Sequence, residues 1–99
     1  MKLLVGAALA SWLLMAPPLD TGWQANFDPS TPLAKWSVVN TYETAQQCDL
    51  VRQWRIALAM RILNRSADLV KRARHRKLLI WDYLWECDRS DDPRLRSPQ

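Results

Sequence analysis

Cys48 and Cys87 are the two cysteines of a 99-residue chain, and what they do decides how small a core it can survive on. A chain of this length is one domain. Joined to each other, the two thiols would close a loop of about forty residues. The chain-entropy model assigns such a bridge roughly 4 kcal/mol, comparable to the whole stability of a small domain. They lie too far apart for a CxxC redox or metal motif, and His75 is the one histidine, so no four-ligand zinc finger can be built. An exported protein would oxidise the pair, whereas a cytosolic one would keep two free buried thiols. No histidine is placed to make either a catalytic thiol.

The compartment is read from the N-terminus. After Met1-Lys2 the chain is apolar from Leu3 to Ala16, interrupted by Gly6 and Ser11. A span of about 18 or more is needed to cross a bilayer comfortably, so this run is short. A positive start followed by such a run is the pattern of a secretory signal, and Ala8-Leu9-Ala10 resembles a cleavage site. Residues 1–10 are therefore expected to be the signal, 11–88 the domain, and 89–99 a flexible tail. Two other readings stay open: an uncleaved membrane anchor through residues 3–16, and a cytosolic protein whose N-terminus is a buried strand or helix.

Ser11 to Ala16 would open the mature protein as a strand, stopped by Pro17-Pro18. Leu19 to Pro32 reads as a long loop, with Trp23 and Phe27 tucked onto the core. Lys35 to Tyr42 is β-branched and aromatic and reads as a second strand. Thr44 and Gln47 form a capping box, and a helix follows. On it Cys48, Val51, Trp54, Leu58 and Ile62 share one face, which Ile56, Ala59, Met60 and Leu63 widen, while Asp49, Arg52 and Gln53 point away. Asn64-Arg65-Ser66 either ends this helix or lies inside one long helix reaching about Trp81. An extended segment then leads into Cys87, and Asp91-Asp92-Pro93 makes a turn.

Three blocks of the chain resemble a group of short exported bacterial proteins of unknown function. The first is Ser11-Trp12-Leu13-Leu14-Met15-Ala16-Pro17-Pro18. The second joins Pro32-Leu33-Ala34-Lys35-Trp36 to Tyr42-Glu43-Thr44-Ala45-Gln46-Gln47-Cys48. The third is Cys87-Asp88-Arg89-Ser90-Asp91-Asp92-Pro93-Arg94-Leu95. The resemblance implies export to the periplasm or beyond, a mature start at Ser11 and a Cys48–Cys87 bridge. It implies no activity, cofactor or ligand.

The charge is unevenly spread. Residues 1–50 carry two basic and four acidic groups, and residues 51–99 carry twelve and six. Lys71, Arg72, Arg74, Arg76 and Lys77 form a dense run, with Trp81 and Trp85 just beyond it. That combination marks a candidate interfacial helix for an anionic membrane or envelope surface. A solvated helix face is the competing reading of the run, and core packing that of the tryptophans. Nucleic acid is disfavoured as a partner for an exported protein. His75 is expected on the surface among the arginines. There is no Gly-rich phosphate loop, Ser/His/Asp set or spaced carboxylate pair. The expectation is a non-enzymatic α+β protein without metal or cofactor. Its two- or three-stranded antiparallel sheet would be covered by one long or two shorter helices and held by a single disulfide.

Overall fold

The computed structural model describes residues 11–20 and 22–96. Strand β1 (Trp12–Ala16) lies at the centre of a three-stranded antiparallel sheet, between β2 (Ser37–Tyr42) and β3 (Glu86–Arg89). Its five residues are all apolar and four of them large, as suits a strand with a neighbour on each side. Leu14, Met15 and Ala16 are almost wholly buried. Trp12 pairs with Tyr42 and Arg89, and Leu14 with Asn40 and Cys87. The β2 register slips between Leu14 and Met15, leaving Val39 as the extra residue of a bulge.

Two helices follow β2. Helix α1 (Ala45–Arg65) starts in the capping box read from the sequence. Thr44 Oγ1 accepts from the Gln47 amide at 3.0 Å, and Gln47 Oε1 accepts from the Thr44 amide at 3.2 Å. Ser66 ends it, and Asp68 caps α2 (Leu69–Tyr83) by accepting from the Val70 and Lys71 amides. The segment after Ser66 is thus a helical hairpin, not one long helix. Cys48, in the first turn of α1, is bonded to Cys87 of β3 with a Cα–Cα separation of 6.0 Å, well within the usual range for a bridge. Leu14, Ala16, Cys48 and Trp85 form the core, with Trp12, Tyr42, Val51, Trp81 and Cys87 packed around it.

Several expectations need correction. The second strand begins at Ser37, because Leu33–Lys35 forms a 3-10 turn held by Trp36, whose indole N–H donates to the Thr31 carbonyl at 2.8 Å. The chain from residue 89 onward is not simply a tail. Arg89 completes β3, and Pro93–Leu95 forms a second 3-10 turn capped by Asp92. A membrane anchor through residues 3–16 conflicts with β1, since Trp12–Ala16 is hydrogen-bonded into the middle of the sheet. Residues 1–10, where the signal segment was expected, lie outside the described residues. No helix of the described residues is long and apolar enough to cross a membrane.

Of the thirty-six residues in α1 and α2, Cys48 and Asp82 alone are buried. The radius of gyration is 16.0 Å, against about 13 Å for a compact chain of this length. The hairpin therefore adds little to the core and extends the molecule. So small a core depends on its bridge. Replacing both cysteines by serine should lower the unfolding free energy by about 2–4 kcal/mol, read from urea unfolding followed by tryptophan fluorescence. An unchanged midpoint would refute the dependence.

Candidate functional site

The hairpin is the feature with most left over once the core is accounted for, and polar ties shape it. At its turn the Arg72 guanidinium donates to the Leu63 and Ser66 carbonyls at 3.0 and 3.1 Å, satisfying the acceptors left at the end of α1. Ser66 Oγ donates to the Ile62 carbonyl at 3.1 Å and lies 2.7 Å from His75 Nδ1. Between the Ile62 carbonyl and the imidazole, the hydroxyl ties the turn to α2. His75 is half-buried against α1, not a surface residue of the basic run.

Between the helices lies a cleft of about 230 Å³, lined by Leu58, Ala59 and Ile62 of α1 and by Leu78 and Trp81 of α2. Arg55 and Asp82 close one end, with Nη2 to Oδ1 at 3.3 Å. The Arg55 guanidinium also lies over the Trp85 ring, 4.2 Å from its centroid, and Trp85 meets Trp81 edge to face at 4.9 Å. Burial pushes the Asp82 carboxyl above its ordinary pKa, and Arg55 pulls it back.

This pair sets the roll of α1. Trp54, expected on the core face, is 64% exposed, while Arg55 beside it faces the core. Leu50 is 59% exposed on the same outer side, and Met60 and Ile62 are a little under half exposed. On α2, Leu69 is 82% exposed, and Val70, Ile80 and Tyr83 are more exposed than buried or nearly so.

The residues expected to meet an anionic surface are placed differently from one another. Trp85 is 4% exposed and belongs to the core, so it cannot enter a lipid interface. Trp81 is half-buried, and its indole N–H donates to the Pro17 carbonyl at 2.8 Å, fastening α2 to the end of β1. Arg72 closes the hairpin turn as described. Arg74 donates to the Trp23 carbonyl at 3.1 Å and lies 5.6 Å from the Trp23 ring centroid, and Lys77 donates to Asn26 Oδ1 at 3.1 Å. These contacts lay the loop of residues 19–27 along α2. Trp23 is exposed there instead of tucked into the core, and Phe27 is half-buried in a bridge with Leu19. Lys71 and Arg76 point to solvent.

One acidic cluster escaped the sequence reading. Glu86 and Asp88, two apart on β3, share a face of the sheet. Arg94 approaches both, at 3.8 and 2.9 Å, and also Asp92 at 2.9 Å. Alternation in a strand that short is the signal that would have found it. Asp88 is buried, and its Oδ2 has no hydrogen-bond partner. Among the described residues no group of three or more His, Cys, Asp or Glu side chains is arranged to hold a metal ion. No family model, curated protein or solved structure matches this chain.

Burial, reinforced by the Glu86 carboxylate and opposed by Arg94, pushes Asp88 up to about 6 from an ordinary 3.8. The folded protein therefore takes up a proton that the unfolded chain takes only at lower pH. The stability this contributes is complete below about 3.8 and is lost as pH rises through about 6. Asp88→Asn should flatten the fall in thermal midpoint between pH 5 and pH 7.5 and should match or exceed the parent at the upper end. A parent whose midpoint is level across this window, or an equally steep variant, would rule this out.

Proposed function

We propose that this is a non-enzymatic, exported interaction protein in which the disulfide-held sheet supports the helical hairpin as a surface for other proteins. The observation that carries the reading is the exposure of Leu50, Trp54, Leu69, Ile80 and Tyr83 on helices in which Cys48 and Asp82 alone are fully buried. Large apolar side chains lined up along an exposed helical face commonly mark association surfaces. The Cys48–Cys87 bridge fits an oxidising compartment, which supports export. The inter-helix cleft is closed at its polar end by the Arg55–Asp82 ion pair, and the Ser66 hydroxyl beside His75 also bonds the Ile62 carbonyl.

The alternative, peripheral attachment to an anionic membrane or envelope, loses most of its residues. Trp85 is in the core, and Arg72, Arg74 and Lys77 hold the hairpin turn and the 19–27 loop. All five cations keep their charge, worth about 1 kcal/mol each near a charged surface, but three are fixed to oxygens of their own chain. The tryptophans expected to anchor the helix, Trp81 and Trp85, are held inward, which disfavours this reading.

Both readings meet in one pair of experiments. At physiological salt the oxidised protein should stay in the supernatant with phosphatidylglycerol vesicles. Sedimentation abolished by Lys71→Glu with Arg76→Glu would favour the membrane reading instead. A photo-crosslinking residue at Trp54 or Ile80 should give protein adducts in the cells that make this chain, and one at Lys35 should not. Equal labelling at all three positions would sink the interaction reading.

A further inference from the structure

Leu50, Trp54, Ala57 and Arg61 follow one another on α1 at steps of four, three and four, and all are exposed. That is the spacing of a seam facing another helix. We infer that a second copy of this chain covers this seam, α1 packing antiparallel on its counterpart about a two-fold axis at Ala57. The inference rests on the hairpin being an interaction surface and names the partner of its α1 side.

The seam is complementary to itself. Ala57, the smallest of the four, sits near the middle of the stripe, where two helices must approach most closely. On one side of it Leu50 lies about 10 Å along the axis, and on the other Asn64 lies about as far. Trp54 and Arg61 lie about 5 and 6 Å from it on opposite sides. Reversing one helix on the other brings Trp54 against Arg61 of the second copy, twice over. A guanidinium over an indole is a favourable contact that gains when water is excluded. The two Arg61 side chains stand on opposite sides of the axis, beyond the reach of a screened like-charge repulsion. Gln46 and Asn64 flank the stripe and offer amide hydrogen bonds at its rim, while Gln47 and Gln53 are held by the helix cap and by Asp49.

The corresponding seam of α2 does not pair with itself. Leu69, Ala73, Arg76, Ile80 and Tyr83 have the same spacing and are also exposed. Their midpoint is Arg76, however, and a two-fold axis there sets Arg76 directly against its own copy. The charge that blocks self-pairing on α2 is, on α1, moved off-centre to where an aromatic ring meets it.

The test is sedimentation equilibrium on the oxidised full chain over about 1–200 μM, the range in which a small helix-to-helix interface is populated. A monomer–dimer equilibrium is expected. Ala57→Glu, which sets two carboxylates together at the axis, should leave a monomer across the range. Arg61→Ala should weaken the dimer about tenfold through loss of both cation–π contacts. Ile80→Glu, on the α2 seam, should leave the dimer unchanged. All three positions are exposed, and circular dichroism should show the parent fold in each variant. A monomeric parent at every concentration overturns the inference, as does a dimer that survives Ala57→Glu or is lost in Ile80→Glu. A monomer whose Trp54 position still crosslinks to a different protein overturns the dimer while leaving the interaction surface standing.

Discussion

β1 is the element on which the rest depends. β2 and β3 do not touch each other, and each is in the sheet because β1 pairs with it. Leu14 and Ala16 supply two of the four residues of the core, and the Pro17 carbonyl just beyond receives the Trp81 indole. The disulfide then closes the assembly from the other end. It fixes the first turn of α1 to β3, at the residue paired with Leu14. Strand and bridge thus meet at one point, and a sheet too small to be stable alone is held there.

What the sequence disclosed came from local chemistry. The apolar run before Pro17-Pro18, the Thr44–Gln47 capping box, the turn at Asp92-Pro93 and the pairing of two cysteines each need a few neighbouring residues to be read, and each has its counterpart in the fold. The roll of α1 needed more. Apolar periodicity placed Trp54 inwards, because an arginine is not counted as a core residue. Arg55, half-exposed, turns toward the core because Asp82, twenty-seven residues later, pairs with it and Trp85 receives its flat face. Once Arg55 is turned in, Trp54 must turn out. Trp54 was illegible as part of the candidate surface for the same reason, since periodicity had assigned it to the core.

The basic run shows how misleading composition can be without partners. Five cations in seven residues suggest an electrostatic surface, yet three of them end on backbone or amide oxygens of their own chain. Arg72 does for the end of α1 what a glycine cap does elsewhere: it satisfies carbonyls left without donors. Arg74 and Lys77 fasten the 19–27 loop, whose Trp23 is left exposed. A chain with two glycines and a small core has few other means of closing turns and holding loops. Its arginines and lysines serve as hydrogen-bond donors first and as charges second.

That division explains why the hairpin is held together yet left uncovered. Its internal contacts are the Arg55–Asp82 pair, the Arg72 and His75 ties at the turn and a thin apolar strip between the helices. Polar ties of this kind fix geometry well but add little net stability, because each group gives up water to form them. The large apolar side chains that would add stability are on the outside, at Leu50, Trp54, Leu69 and Ile80. A hairpin so built keeps its shape as a monomer and gains most when its outer faces are covered. Selection for stability alone would have turned those residues inwards. Their outward placement, with half-exposed Arg55 turned over Trp85 instead, is what supports the proposal that the exposed faces serve recognition.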